Sequence, residues 1–453
     1  MKGNYDILIV GAGTAGVYFG WQMALRGHSV CIVERSKREN VGKRLEVFHI
    51  DSIKFSEFQV PPPEETSPEF FCKFDTGLFY APDGSCQKEV TYPFHVMSLP
   101  LFLQRMFELA EEAGVHFEFE TSFESLVLKS GKIKGAEVKH QNEIWKIEAG
   151  LLVDASGINA HVRSQLPQDY GIETFEPGPN EKFYVVLRYI KWLGTDYPKI
   201  QYTKSWSFYK TWLAPSTDES RAIIGVGATG SYDHGEEVLK DFFNTIELPP
   251  YEIERFERGV TPFRRPPYSF VSDGFLCLGD AACLTKPFSG EGVTAAWKLC
   301  QIAADVVDNA LKSGQLLSAE ALWDINVQYY RNQGAKFAGI LSTVPSAANT
   351  SKKENHYMFR KDIVFSSEDF TDMNRDFEMH LSMGKILKIV FNLISGVLTG
   401  NYSLASLKAM LKSVTISGKV RQHYENYPNT PKEFHSWMLV ADTLWKQANA
   451  EMA

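Results

Sequence analysis

The sequence predicts an α/β fold in three parts: a domain built on a parallel sheet, an antiparallel sheet inserted into it, and a mainly helical C-terminal region. Three observations predict it. A strand, a glycine-rich turn and a helix open the chain, with Gly11, Gly13 and Gly16 in the turn. Short apolar runs of the parallel-strand type return far downstream, at Gly150 to Asp154 and at Gly274 to Leu278. An aromatic, strand-rich stretch from Phe183 to Ala228 separates those runs, and helical patterns dominate from about Ala319 onward.

The elements follow in order. Tyr5 to Val10 is a continuous apolar run, the pattern of a strand buried on both faces. Apolar residues then recur at helical spacing from Val17 to Arg26, and Gly27 ends that helix. Ser29 to Glu34 reads as a second strand, so the N-terminus is a compact, Rossmann-like βαβ unit. After Glu34 the chain turns basic and irregular, and Pro61-Pro62-Pro63 marks a loop. Short strands are expected between Phe70 and Tyr92, around a turn at Pro82-Asp83-Gly84. A helix is expected from Pro100 to Ala113, then a strand meander over residues 115–139, and a long helix from Gly292 to Leu311. The predicted organisation is residues 1–60, 95–170 and 270–330 for the nucleotide-binding domain, 61–94 and 171–269 for the substrate-domain sheet, and 331–453 for the helical region.

With 453 residues the chain can bury a large core. A net charge of −8 argues against nucleic-acid binding, because no basic excess exists to neutralise phosphates. The six cysteines form no C-x-x-C pair, so no metal site is predicted. Cys31, Cys277 and Cys300 read as buried small hydrophobes; Cys72 and Cys86 could in principle pair, but nothing marks the chain as exported. The first strand begins at about Tyr5, and a reducing cytoplasm is the expected location. No stretch reaches the roughly 18–20 apolar residues of a membrane span. The nearest, Ile386 to Leu398, is interrupted by Lys388 and Asn392 and reads as a core helix, with a membrane-surface helix as the alternative.

Each glycine of Gly11-x-Gly13-x-x-Gly16 has a physical task. The first permits the tight turn, the second lets backbone approach a pyrophosphate, and the third lets helix pack on strand. Thr14 and Ala15 open the helix whose positive N-terminus meets the pyrophosphate. Glu34 ends the second strand 18 residues after Gly16, where a carboxylate accepts from ribose hydroxyls. This pattern indicates a dinucleotide without separating NAD from FAD.

Later segments separate them. Asp154-Ala155-Ser156-Gly157 with Arg163, and Gly279-Asp280-Ala281-Ala282 with Pro287, Gly290, Glu291 and Gly292, resemble the second and third cofactor segments of the p-hydroxybenzoate hydroxylase-type FAD superfamily. Within it the chain resembles the geranylgeranyl reductase-like branch, with flavin halogenases as near relatives. The resemblance implies a Rossmann-like FAD-binding domain with an inserted antiparallel-sheet substrate domain, and FAD as cofactor. It implies that Ser156, Gly157, Asp280, Pro287, Gly290, Gly292 and Val293 hold the cofactor, with Asp280 accepting from a ribityl hydroxyl. Backbone N–H groups from Gly290 to Val293 would face the flavin's pyrimidine edge. Arg35 and Arg44 are candidate cations at the cofactor, Arg44 being alternatively a solvated surface residue. Trp212 and Pro215 match the branch's Tyr-x-Trp-x-Phe-Pro motif, whereas Lys210 and Ala214 depart from it. A cysteine that several members carry near the flavin is missing from residues 42–49, and Leu99 stands where an arginine is common.

The expected function is an FAD-dependent oxidoreductase that reduces a C=C bond of a hydrophobic, isoprenoid-like or polycyclic substrate. His49 and Tyr209 are the candidate proton donors and, with Trp212 and Phe288, the candidate substrate contacts. Structural roles for His49 and Tyr209 are the alternative. Other readings are a flavin monooxygenase and a non-catalytic, membrane-docked flavoprotein. Halogenation is not expected, since position 210 is Lys rather than Trp and no lysine stands in the required setting. The electron donor is open among NAD(P)H, ferredoxin and reduced flavin. Residues 383–412 combine apolar runs with lysines and are the expected site of any peripheral membrane contact.

Overall fold

In the computed structural model, which describes residues 3–449 except 82, 198–200, 206–209, 245–246, 345–349 and 364–365, and only the backbone of 201–205 and 210, the chain forms two eight-stranded sheets and a set of helices. The first sheet grows from β1 (Asn4–Val10), whose Ile7, Leu8 and Ile9 are fully buried. Helix α1 (Thr14–Leu25) and β2 (Val30–Val33) complete the βαβ unit, with β1 and β2 parallel.

The next three strands leave that sheet. Strand β3 (Val47–Asp51) pairs with β5 (Gln87–Ser98), which forms a long hairpin with β4 (Phe70–Tyr80) where only short strands were expected. Residues 47–51 lie within the 1–60 segment by sequence, yet their backbone partners are in the second sheet. Helix α2 (Leu99–Glu112) follows, its first turn capped by the Ser98 hydroxyl, which accepts from the Leu101 N–H.

The chain then returns to the first sheet. Strands β6 (His116–Glu118), β7 (Thr121–Lys129), β8 (Lys132–His140) and β9 (Glu143–Asp154) follow. Parallel pairing of β9 with β1 sets Asp154 opposite Val10, beside the glycine turn. The second sheet is then filled by β10 (Lys182–Trp192), β11 (Gln201–Ser205), β12 (Lys210–Pro215), β13 (Arg221–Ala228) and β14 (Tyr251–Pro262), with α3 (Tyr232–Phe243) packed on it. Its order is β14-β10-β13-β12-β11-β4-β5-β3, antiparallel except where β11 meets β4. Strands β15 (Val271–Ser272) and β16 (Phe275–Cys277) close the first sheet, whose main path runs β15-β16-β9-β1-β2-β6.

Helix α4 (Val293–Lys312) packs against α1. Its Trp297 indole is buried, stacks on Tyr18 and donates to the Thr14 carbonyl at 3.1 Å. Beyond it lie α5 (Ala319–Tyr329), a π-turn at Tyr330–Gly334, α6 (Ala335–Leu341), α7 (Lys352–Arg360) and α8 (Ser367–Asp376). Then come α9 (Met383–Leu398), α10 (Leu404–Glu425) and α11 (Phe434–Asn449). A buried knot of Tyr330, Tyr424, Tyr427 and Trp437 fastens α10 and α11 to the body, and the Tyr427 hydroxyl donates to the Tyr268 carbonyl. The expected α/β architecture with an antiparallel sheet and a helical C-terminal region is therefore observed.

Cys72 and Cys86 are both free thiols, as are the other four cysteines. One expectation is corrected. The Ile386–Leu398 run is helical but is not a core helix: of α9 only Leu393 and Gly396 are buried. Its narrow inner strip packs on Tyr357 and Tyr402, while the wide apolar arc faces outward. Apolar spacing marks a helix face; it does not say which way that face turns. Among the described residues no helix is long and apolar enough to cross a membrane.

Candidate functional site

A cavity of about 650 Å³ opens where the two sheets meet. That size suits an extended small molecule. One end is the glycine turn. Gly11 has φ +106° and donates its N–H to the Val33 carbonyl. A Cβ on Gly16 would lie 2.1 Å from the Gly11 oxygen, so helix and turn touch there. Gly13 faces open space and lines the cavity with Thr14 and Ala15. Glu34 sits beside the turn, its carboxylate accepting from the backbone N–H groups of Ala12 at 3.1 Å and Ser36 at 2.8 Å.

Asp154 and Arg163 fix the second segment. The buried Asp154 carboxylate accepts from Ser156, Val162 and Arg163 backbone N–H groups and from the Ser156 hydroxyl. Arg163, 1% exposed, donates to the carbonyls of Ala281, Glu173 and Phe175 and so ties this loop to the third segment. Gly157 lines the cavity; Ser156 is occupied in holding its own loop.

The third segment supplies the floor: Asp280, Pro287, Phe288, Gly290, Gly292 and Val293 all border the cavity. Burial alone pushes the Asp280 carboxyl up to about 6. The Gly290 N–H donates to the Lys286 carbonyl at 2.8 Å, so of the expected N–H row it is already engaged. The first turn of α4, from Gly292 onward, has no preceding helical carbonyls to accept its N–H groups. The raised Asp280 pKa has a testable consequence. A carboxyl whose folded pKa lies above its unfolded value of about 4 stabilises the fold below that value and loses the contribution as pH rises through about 6. Ligand-free protein should thus lose roughly 1–2 kcal/mol over that window. Urea titrations at several pH values should show this slope in the wild type and not in Asp280→Asn.

The far wall is apolar and comes mainly from the second sheet, through Val47, Val185, Leu187, Trp212, Ile223 and Phe263. Trp212 on β12 faces Gly225 on β13, and a Cβ there would lie 2.4 Å from the indole. His49 borders the cavity; its Nε2–H points at the Pro215 carbonyl at 3.3 Å and its ring meets Phe74 edge-on. Arg35 and Arg44 do not line the cavity. Both are exposed, and the Arg44 guanidinium donates to the Arg258 carbonyl. Tyr209 lies outside the described residues.

Sequence reasoning missed a buried charge cluster on the same wall. The Lys286 ammonium donates to Asp51 Oδ2 at 3.2 Å and to Glu291 Oε2 at 3.0 Å, and all three residues border the cavity. A lysine does therefore border the cavity, and two carboxylates hold it. Lys286 and Asp51 are each about 1% exposed in their side chains. Burial raises the Asp51 carboxyl against the pull of Lys286; burial opposes the Lys286 charge, but Glu291 and Asp51 outweigh it and hold its pKa up. Asp51 Oδ1 and the cavity-lining Ser289 hydroxyl are buried with no hydrogen-bond partner among the described residues. The only sequence signal was Glu291 inside the Gly-Glu-Gly motif.

No protein-family model matches the chain. It is 25% identical over 461 residues to a digeranylgeranylglycerophospholipid reductase of Sulfolobus acidocaldarius, covering 99% of each. It is 27% identical over 342 residues to the protein of the same name from Methanothrix thermoacetophila, covering 70% of this chain and 82% of that one. Among solved structures, a geranylgeranyl bacteriochlorophyll reductase-like protein of Thermoplasma acidophilum matches in fold, with TM-score 0.73, 17% identity and coverage of 88% of this chain and 99% of that one. A flavin-dependent brominase also matches in fold, with TM-score 0.63, 17% identity and coverage of 88% and 100%. End to end in sequence the chain resembles reductases of the geranylgeranyl type, and in fold a geranylgeranyl reductase-like protein, and it is an oxidoreductase.

Proposed function

We propose that the chain is an FAD-dependent reductase that saturates a C=C bond of an isoprenoid-like substrate. One observation carries the reading: a single cavity joins a dinucleotide cradle to an apolar wall. The residues present fit FAD. Gly13 leaves room for backbone to approach a pyrophosphate, Glu34 beside the turn would accept from a ribose, and Asp280 lines the cavity with no side-chain partner among the described residues. When bound and reduced, FAD supplies hydride from N5.

The chain's own residues do the rest. Leu187, Trp212, Ile223 and Phe263 accept a hydrocarbon and exclude water. The proton can come from His49 at the cavity wall. A substrate of this class lives in a bilayer, so the enzyme meets it as a peripheral protein. The donor belongs to one of three classes, NAD(P)H, ferredoxin or reduced flavin.

The test is anaerobic incubation of the reduced holoenzyme with a polyunsaturated isoprenoid lipid, followed by mass spectrometry. Gain of hydrogen pairs is expected. Product heavier by one oxygen, formed only in air, would replace this reading with a monooxygenase. Absence of any turnover with all three donor classes would favour a non-catalytic flavoprotein.

A further inference from the structure

Helix α9 turns its apolar side away from the protein. Met383, Phe391 and Leu398 are 72%, 71% and 82% exposed, and Leu387, Val390 and Ile394 are exposed with them. At 100° per residue these six fall within one arc of four turns. The opposite side carries the buried Leu393 and Gly396. An uninterrupted apolar stripe of this length on a protein surface marks a binding face. Helix α10, which shares a small core with α9, adds the exposed Leu404 and Leu411.

Charge says what the face binds. Residues 383–420 hold five lysines and no Asp or Glu, although the whole chain carries −8. Lys388 borders the stripe and pairs with Asp362, while Lys385 lies on the inner side, paired with Asp369. Lys408 and Lys412 are exposed on α10. A second copy of the same face would bring lysines against lysines. An anionic lipid surface offers acyl chains to the stripe and headgroups to the lysines.

The face is also joined to the cavity. Phe377, at the end of α8, is buried against Phe337 in the cluster that holds the cavity-wall residue Phe288. From there the chain climbs through Met379 and Leu381, 37% and 48% exposed, to Met383.

We propose that α9 and the start of α10 dock the protein on an anionic bilayer, and that residues 377–383 form the apolar track between bilayer and cavity. The docking stands on the surface alone; the use of the track for substrate rests on the reductase reading.

The experiment is flotation of the full-length protein with phosphatidylcholine vesicles, with and without phosphatidylglycerol. A Leu387→Ser/Phe391→Ser/Ile394→Ser variant is run alongside. All three side chains are exposed, so its thermal midpoint should equal that of the wild type. The wild type should float with the anionic vesicles and far less with neutral ones. The triple variant should partition at least about tenfold more weakly. Wild type that stays with the lipid-free fraction at both compositions, or a variant that floats like wild type, overturns the proposal. So does a wild-type dimer that the substitutions convert to monomer, which would make the face a self-association surface. Flotation needs no turnover: docking without reduction of any lipid would end the reductase reading and leave the docking intact.

Discussion

Lys286→Met is expected to destabilise the fold by about 3–5 kcal/mol, because it leaves the buried Asp51 carboxylate without its counter-charge. Two features place the effect at the upper end of single substitutions. The lysine is almost wholly buried, and it joins residues 235 positions apart, on β3 and on the loop before α4. The loss should depend on pH in a defined direction. Without the ammonium, burial raises the folded pKa of Asp51 still further above its unfolded value. A group shifted upward contributes most below its unfolded pKa, about 4, and loses that contribution as pH rises. The gap between variant and wild type should therefore narrow as pH falls from 7 toward 4. Urea denaturation of ligand-free protein measures both quantities. The double variant Asp51→Leu/Lys286→Met should recover most of the stability, since the carboxylate left without Lys286, that of Glu291, is 35% exposed and reaches water. A single variant within about 1 kcal/mol of wild type would show that water reaches Asp51.

The second large effect separates two glycines that play different parts. Gly16→Ala puts a methyl 2.1 Å from the Gly11 carbonyl oxygen, with backbone on both sides of the contact. Strand and helix must separate, and a loss of about 2–4 kcal/mol in stability is expected, together with loss of bound FAD. Gly13→Ala meets nothing in the protein but intrudes on the cavity. It should leave the ligand-free melting temperature unchanged and still abolish most flavin binding. Flavin absorbance per protein and melting of the ligand-free forms resolve the pair. Equal stability losses for both would contradict the geometry. Unchanged flavin content in Gly13→Ala would remove the pyrophosphate from that end of the cavity.

The residues that sequence alone revealed share a property: their partners are close in sequence or their spacing repeats a local geometry. Gly11, Gly13 and Gly16 sit in one turn, and Glu34 is the end of the next strand. Asp280 and Gly292 bracket a short loop that leads into a helix. What stayed hidden depends on topology. Asp51 meets Lys286 only because β3 crosses to the second sheet and pairs with β5. Nothing in the run Phe48-His49-Ile50-Asp51 announces a buried acid. The α9 face was legible as apolar, but its direction is set by Tyr357 and Tyr402, which fill the inner side. Arg44, read as a cation for the cofactor, instead lies at the surface because the Arg258 carbonyl draws its guanidinium there.

The late closure of the first sheet by β16 has a consequence for biosynthesis. Strand β8 already covers the outer edge of β9 over residues 143–148, but the part from Leu152 to Asp154 pairs with β16, which begins at Phe275. At ribosomal speeds of about 5–20 residues per second, that part of the edge waits roughly 6–25 s for its partner. Trp297, which covers α1, emerges later still. A nascent chain stalled between these points presents an unpaired, strongly apolar strand edge to its surroundings. Translation rate and chaperone supply, rather than final stability, should then govern the yield of native protein.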